Sequence, residues 1–192
     1  KKMKTKNHSI QKILENCKEV DSKFFEENIT DFHEYSSDPK LYEFMSELTA
    51  HYGLSDTKRY FDKLIKDKTV HLFPILQKKK VVGTVSLRQL NKLRGNFHIG
   101  FASSSSSWGL PVVALTIASV IWLSFEKYKA RRLEGLTQIN NLRSQKLMEN
   151  LGFKEEGLMK SYYKNKLNGD YIDAKIYNLF KHEFSLLKKF EI

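Results

Sequence analysis

The sequence predicts a mixed α/β fold, with one domain built on a central mixed sheet that helices flank. Three observations predict it. The chain has 192 residues, of which 41% are hydrophobic and 12% aromatic, so one domain with a sizeable core is expected. Helical patterns come first, strand-like segments follow, and helices then alternate with strands. The sequence shows no internal repeat, and its only low-complexity piece is a run of serines at 103–107.

The start of the chain is basic and is predicted to lie outside the domain. Residues 1–20 are interpreted as a basic tail with a short helix that Ser9 caps, and residues 21–192 as the domain. The tail lacks the apolar stretch of a signal peptide. Cys17 is the only cysteine of the sequence, so no internal disulfide can form and nothing indicates secretion. These features predict a cytoplasmic protein.

Two helices are predicted next. An Asp-Pro pair begins at Asp38, with the Asp as cap and the Pro at the first helical position. A helix is therefore expected over 39–52, with Gly53 as its end. Ser55 is expected to cap a second helix over 55–67, whose aromatic and aliphatic residues share one face.

The following segments have the residue pattern of strands. Strands are predicted at 69–76 and 81–87, joined by a lysine-rich turn, and at 96–102. A chargeless run of 18 residues then extends from Trp108 to Phe125. Its length is at the lower end of the spanning range of about 17–25 residues. Because it contains Gly, Pro, Ser and Thr, it is predicted to be a buried helix and not a membrane span.

The last part is predicted to contain a strand, a helix and two closing strands. The strand covers 131–139, and the helix covers 140–153 with Gly152 as its C-terminal stop. The closing strands cover 153–159 and 171–180, with a turn between them.

The net charge of +11 is unevenly distributed. No Asp or Glu occurs from Lys68 to Phe125, and this stretch contains Lys78, Lys79, Lys80, Arg88, Lys92 and Arg94. The stretch is either a solvated basic surface or a field that attracts a polyanion. Nucleic acid, anionic lipid and a phosphorylated cofactor all satisfy the second reading.

Several function classes find no support in the sequence. One cysteine and six scattered histidines give no metal-ligand spacing, so no metal is expected. Neither a Gly-x-Ser-x-Gly nor a Walker pattern is present. No recognised nucleic-acid motif with interleaved basic and aromatic side chains occurs, which argues against a nucleic-acid partner.

One motif and several smaller matches carry a resemblance. The motif is Asn141-Leu-Arg-Ser144, then Leu147-Met-Glu-Asn-Leu-Gly-Phe153, then Glu156-Gly157. The smaller matches are Ile99-Gly100-Phe101, Trp108-Gly109, Asp173 and Tyr177. With the order of elements, they resemble the GCN5-related N-acetyltransferases (GNAT), particularly the branch that acetylates ribosomal-protein N-termini. The resemblance covers about residues 30 to 184.

The resemblance implies acetyl-CoA as co-substrate and two central parallel strands, the third and the fourth, that splay apart. Phe101, Ala102 and Ser103 would then supply an unpaired edge for the pantetheine arm. Asn141 and Ser144 would face the pantetheine or the thioester from the next helix. Plain helix capping is the alternative for these last two residues.

The resemblance also places the pyrophosphate at the start of the long helix. The branch pattern there is Trp-Gly-x-Gly-x-Ala, and this chain has Trp108-Gly109-Leu110-Pro111-Val112-Val113. Pro111 removes one donor but suits the first helical position. The amides expected to remain for the phosphates are those of Gly109, Leu110, Val112 and Val113. The serine hydroxyls and the acid-free surroundings offset part of the lost hydrogen bond, and branched Val113 adds a separate steric change near the phosphates. The loop is interpreted as an altered phosphate site that still works; the alternative is a fold that has lost its cofactor.

Acetyl transfer needs a base for the amine. Many members of the family place a Glu on the third strand, and the acid-free stretch excludes one here. His98, two residues before Gly100, takes that position and is the base candidate. A structural strand histidine is the alternative. Glu134 is a weaker candidate, because strand acids often serve structural hydrogen bonds.

The general acid is left open. Met148 stands where many members of the family carry a tyrosine. Ser144, Tyr162, Tyr163 or water could fill the role. A thiol with a pKa near 8.5 is a fair leaving group, so a dedicated acid is dispensable.

The sequence therefore predicts an N-acetyltransferase acting on a primary amine. A peptide N-terminus or a nucleotide-linked amino sugar fits the basic balance better than a polycation such as spermidine. The two N-terminal helices should form the wall of the acceptor pocket. Candidate lining residues are Tyr35, Tyr42, Phe44, His51 and Tyr52, with core packing as their alternative. The runner-up function is an inactive acyl-CoA-binding or interaction domain, and monomer and homodimer both stay open.

Overall fold

A computed structural model describes residues 17–45, 53–165 and 168–184 of the chain. One mixed sheet has the strand order β1-β2-β3-β4-β6-β5. The strands are β1 Val70–Gln77, β2 Lys80–Asn91, β3 Asn96–Ser103, β4 Arg132–Gln138, β5 Lys154–Lys164 and β6 Tyr171–Phe180. The helices are α1 Ser22–Glu27, α2 Ile29–Ser36, α3 Pro39–Tyr42, α4 Leu54–Lys66, α5 Pro111–Glu126 and α6 Leu142–Asn150. The predicted mixed α/β class is confirmed.

The N-terminal helices differ most from the prediction. Helices α1 and α2 were not predicted, although Asp21 caps α1 by accepting a bond from the Phe24 amide at 2.7 Å. The signal was present as a cap followed by aromatic residues at helical spacing, including Phe25 and Phe32, which are fully buried. The predicted helix at Ser9 and the domain boundary after residue 20 depend on residues 1–16, which lie outside the described residues.

The prediction of a helix over 39–52 is wrong in its described part. Asp38 caps α3 as expected, since its Oδ1 accepts a bond from the Lys40 amide at 3.0 Å. Helix α3 then ends at Tyr42, and 43–45 are not helical. Residues 46–52 lie outside the described residues.

The predicted cap of the following helix is also wrong. Gly53 is the N-cap of α4 and not the end of a helix. The Oδ2 atom of Asp56 accepts a bond from the Gly53 amide at 3.2 Å. The side chain that stabilises the start of α4 is therefore that of Asp56 and not that of Ser55.

The central parallel strands separate, as the resemblance implied. Strands β3 and β4 pair only through Asn96 with Arg132, Phe97 with Leu133, and His98 with Glu134. On its other side β3 stays paired with β2 along its whole length, to Ser103 opposite Gly83. The β4-facing edge of β3 is therefore unpaired by β4 beyond His98.

The sheet has a core on each face. Alternate residues of β2 and β3 pack on α5 and α6, in a cluster that includes Leu87, Ile99, Ile117 and Met148. On the opposite face an aromatic cluster forms with α1, α2 and α4, in which the Phe32 and Phe61 rings lie 4.8 Å apart. The active-site face of β2 and β3 is the one toward this second cluster.

Helix α5 corresponds to the chargeless run and is buried as predicted, with Ile117 and Ile121 fully inaccessible. Within the described residues, no helix has the length and apolar character needed to cross a membrane.

Candidate active site

A cavity of about 750 Å³ fills the gap between the separated strands. The edges of the gap, residues 100–103 of β3 and 136–138 of β4, line it. On one side it reaches the helical layer of α3 and α4, and on the other it reaches the N-terminal ends of α5 and α6. The cavity therefore connects the two faces of the sheet through the split.

His98 lies at the point where the strands separate. It is the last β3 residue that pairs with β4, it is half-buried, and it lines the cavity. Burial lowers the pKa of the His98 imidazole, and the nearby Arg88 guanidinium lowers it further. The ring makes no hydrogen bond to any residue that the structure describes. A neutral, unengaged imidazole of this kind is able to accept a proton.

Glu134, the weaker base candidate, is engaged elsewhere. Its Oε2 atom lies 3.7 Å from the Arg132 guanidinium, which also binds Glu156. Glu134 is not among the residues that line the cavity. This arrangement favours the structural reading for Glu134.

The expected edge of β3 borders the cavity with Phe101, Ala102 and Ser103. The carbonyl of Ser103 already accepts a bond from the Trp108 indole at 3.0 Å. Trp108 therefore occupies the Ser103 end of the β3 edge. The part of this edge that is open to a ligand lies closer to His98.

The loop before α5 retains fewer free amides than expected. The Leu110 amide donates to the Ser107 carbonyl at 3.1 Å, and the Val113 amide donates to the Leu110 carbonyl at 3.1 Å. Among the described residues, the amides of Gly109 and Val112 have no acceptor. The expectation of four available amides is therefore corrected to two, because the chain turns tightly enough to bond the others itself.

Two side-chain expectations for this loop also change. Pro111 is the first residue of α5, as expected, but Val113 is 7% exposed and packs in the core. Its branched side chain is therefore largely accommodated by the core. Gly109 has φ +81°, a left-handed conformation that favours glycine, which explains why this glycine is retained.

Most of the serine run is engaged in hydrogen bonds within the loop. Ser104 Oγ bonds to Ser106 Oγ at 3.1 Å and to Ser107 Oγ at 3.0 Å. The Ser105 amide donates to Asp38 at 2.6 Å, so the acid that caps α3 contacts a loop that is acid-free in sequence. Of the five serines only Ser103 lines the cavity. Any compensation by serine hydroxyls is therefore restricted to Ser103.

A cation that the sequence analysis missed stands beside this loop. The Arg143 guanidinium lies 3.9 Å from the centroid of the Trp108 ring, and both residues line the cavity. Lys146, one turn further along α6, lines it as well. The sequence signal was available, since both residues follow Asn141 in the motif, but only folding brings α6 against the loop.

Asn141 and Ser144 are a cap pair that also borders the cavity. The Oδ1 atom of Asn141 accepts a bond from the Ser144 amide at 3.1 Å, which confirms capping. Both residues line the cavity, so the capping geometry leaves the Ser144 hydroxyl available to a ligand.

The candidates for the general acid separate by position. Met148 is 2% exposed, and a Cβ placed on Gly135 would lie 2.4 Å from its Cε, so Met148 fills the core above a glycine. Tyr163 lines the cavity, whereas Tyr162 is 41% exposed and does not. Of these candidates, Ser144 and Tyr163 are the hydroxyl-bearing residues that border the cavity.

Core packing accounts for part of the expected acceptor wall. Tyr35 is buried and bonds Thr84 at 2.9 Å, and Tyr42 donates to the Ser36 carbonyl. Both tyrosines border a second cavity of about 40 Å³. Phe44 lines the large cavity as expected. The wall also contains Leu41, Met45, Tyr60 and Leu64. His51 and Tyr52 lie outside the described residues.

A parallel strand pair that separates around a cavity, with two helix N-termini at one end, defines the class of fold on which N-acetyltransferases are built. The chain belongs to the GNAT acetyltransferase family. The family model described as the acetyltransferase (GNAT) domain matches residues 23–154. The chain is accordingly an acyltransferase of the N-acetyltransferase class.

Individual relatives agree with this assignment. An "Uncharacterized N-acetyltransferase p20" from Bacillus licheniformis is 26% identical over 157 residues, covering 79% of this chain and 86% of that protein. The structure of spermidine N-acetyltransferase from Vibrio cholerae with CoA and spermine has a TM-score of 0.73 and 16% identity, covering 86% and 95% of the two chains. A ribosomal-protein-S5-alanine acetyltransferase from Vibrio fischeri has a TM-score of 0.72 and 18% identity, covering 88% and 93%. At these identities the solved structures support the fold alone.

Proposed function

We propose that this chain transfers the acetyl group of acetyl-CoA directly to a primary amine, and that the transfer takes place beside His98. The observation that carries the proposal is the continuous cavity from the half-buried His98 to Gly109 and the start of α5. A thioester and an amine brought together in such a gap react at high effective concentration.

The residues of the cavity fit a phosphorylated co-substrate. The amides of Gly109, which lines the cavity, and of Val112, which does not, lie at the N-terminal end of α5, where the helix dipole favours an anion. The Arg143 guanidinium adds a charge beside them, in place of the amides that the loop bonds internally. The β4-facing edge of β3 near Phe101 and Ala102 supplies backbone groups for the pantetheine arm.

His98 acts as the base in this proposal. Its lowered pKa keeps the imidazole neutral near pH 7, so it takes the proton that the amine loses. The amine nitrogen forms a bond to the thioester carbon and the carbon–sulfur bond breaks. The leaving thiolate takes a proton from the Ser144 or Tyr163 hydroxyl or from water, and the proton held by His98 restores that donor, so the products are the acetamide, the free thiol and neutral His98.

A binding domain without catalysis is the second candidate. It is favoured by the two internally bonded amides of the loop and by Met148 in the core position.

The acceptor of the proposed transfer is a peptide N-terminus, an amino sugar or another small amine. The single cysteine fits a reducing compartment, and we propose a cytoplasmic location.

Mass spectrometry of candidate amines incubated with the protein and acetyl-CoA tests the proposal, together with the release of free thiol. We expect an acetylated product and an equal amount of CoA. CoA should also raise the melting temperature, because it binds the native state. A rise with CoA but no product from any amine would support the binding domain. No rise and no heat of binding would contradict both functions.

A further inference from the structure

The charges on the cavity wall are all of one sign. Among the residues that the structure describes, the wall contains no Asp or Glu, and its cationic residues are Arg88, Arg143 and Lys146. Arg143 and Lys146 are on α6, at the end proposed for the phosphates. Arg88 is on β2, at the opposite end, beside the helical layer that forms the acceptor wall. A cation at the acceptor end is not needed to bind CoA.

Arg88 is the cross-strand neighbour of His98. The two residues are directly opposite each other in the β2–β3 pair, so their side chains are on the same face of the sheet. Their Cα atoms are then about 4.5–5.5 Å apart. A group bound by Arg88 therefore lies within a few bonds of a group that reacts at His98.

Asp67 holds the Arg88 guanidinium in place and leaves some of its N–H donors unused. Its Nη1 atom donates to Asp67 Oδ2 at 2.8 Å. Hydrogen bonds from Thr69 and from Arg88 lower the pKa of Asp67 to about 2, so this anchor stays ionised. Nε and Nη2 of Arg88 have no acceptor among the described residues. Asp67 does not line the cavity, and it orients the guanidinium from outside.

We propose, on the basis of the function above, that the acceptor carries a carboxylate or phosphate group close to its amine, and that Arg88 binds this anion while His98 takes the proton of the amine. A planar guanidinium matches either anion with two parallel hydrogen bonds. The same wall disfavours a polyamine, because its described residues offer several positive charges and no carboxylate. The aliphatic and aromatic residues Leu41, Phe44 and Leu64 cover the remainder of the acceptor.

Binding of acetylated products tests the proposal without turnover. The carboxylate pair is N-acetyl-L-phenylalanine and its amide, and the phosphate pair is N-acetylglucosamine 6-phosphate and N-acetylglucosamine. Calorimetry is performed on the full chain with and without saturating CoA. We expect the anionic member of at least one pair to bind about tenfold to a hundredfold more tightly than the neutral member. The pair that shows the preference identifies the anion as carboxylate or phosphate.

Three variants assign the preference to Arg88. Arg88→Gln should remove it, and Arg88→Lys should retain part of it. Arg94→Gln removes an equal charge from the adjoining β2–β3 turn, outside the cavity, and should change nothing. The comparison within each ligand pair on the unaltered protein stands even if Arg88→Gln does not fold.

Equal binding of the two members of both pairs would overturn the proposal, and so would failure of both anionic ligands to bind. The proposal would also be overturned if folded Arg88→Gln kept the preference. It would be overturned likewise if spermidine were acetylated faster than both phenylalanine and glucosamine 6-phosphate. Failure of the proposed function has a different signature, because no amine is then acetylated, whether or not CoA produces heat. The ligand pairs without CoA still report on Arg88 in that case.

Discussion

His98 and Glu134 are the last opposed residues of β3 and β4 before the two strands separate. They share this position but differ in their surroundings. His98 borders the cavity and has no hydrogen-bond partner among the described residues, whereas Glu134 lies in an ion pair with Arg132 outside the cavity wall. This difference makes the role of each residue testable by substitution.

Replacing His98 should impair chemistry more than folding. We expect His98→Gln to lower the acetylation rate by about 10²–10⁴-fold, because the amine then has no positioned base. The melting temperature should change little, since the ring makes no bond to the described residues. Steady-state rates and thermal unfolding of the same preparation measure both quantities. A variant with a near-normal rate would reduce His98 to a structural residue.

The pH profile provides an independent test of His98. Its pKa is lowered from 6.5, so the activity of the unaltered protein should fall only as the pH drops below 6.5, when the imidazole becomes protonated. The folded protein should also lose stability as the pH falls through this range, because the unfolded chain binds the His98 proton at a higher pH than the folded chain does. Arg88→Gln removes the nearby positive charge and should move the limb toward higher pH. A limb that does not move would mean that another group titrates.

Substitution of Glu134 should have the opposite outcome to that of His98. Glu134→Gln is expected to leave the rate within a few-fold of normal. Its loss of stability should be about 1 kcal/mol or less, because Arg132 keeps Glu156 as a partner. Urea unfolding and initial rates measure the two effects. A rate loss of about a hundredfold or more would assign the base to Glu134 instead.

Arg143 should matter to CoA but not to its shorter fragments. Arg143→Ala is expected to weaken CoA binding about tenfold to a hundredfold, the range for a charge-assisted hydrogen bond. Pantetheine lacks the phosphates and should bind both proteins equally. Arg94→Ala serves as the control, since Arg94 is exposed on a turn outside the cavity wall. Equal weakening for pantetheine would show that Arg143 acts through the packing of Trp108.

Restoring a donor at the start of α5 should strengthen the phosphate site. Pro111→Gly adds one amide beside those of Gly109 and Val112, and a gain in CoA affinity of about 1 kcal/mol is expected. The flexibility of glycine offsets part of the gain. Val113→Ala is a poor companion change, because Val113 is buried and its truncation should cost roughly 1–3 kcal/mol of stability. Weaker CoA binding by Pro111→Gly would show that proline presets the helix start.

The prediction from sequence was most accurate where local patterns and burial agree. Helix α5, the strands β1, β3, β4 and β6 and the stop at Gly152 all follow from runs of apolar residues bounded by turn or cap residues, whereas β2 and β5 extend beyond their predicted ends, to Asn91 and Lys164. It was least accurate between residues 21 and 53. There the short helices α1 and α2 are stabilised by the packing of Phe25 and Phe32 against each other and of Phe32 against Phe61 of α4, and contacts with a distant helix are not visible in the local sequence of short segments.

The sequence by itself determined the mixed α/β class, the family motif and the absence of acids around the third strand, because each of these depends on residue types and their spacing. Only the tertiary structure decided which loop amides are free, where Arg143 lies and which cation faces His98. These features depend on contacts between elements far apart in the chain. Such contacts are set by how the sheet and helices pack, so the local sequence around either residue does not predict them.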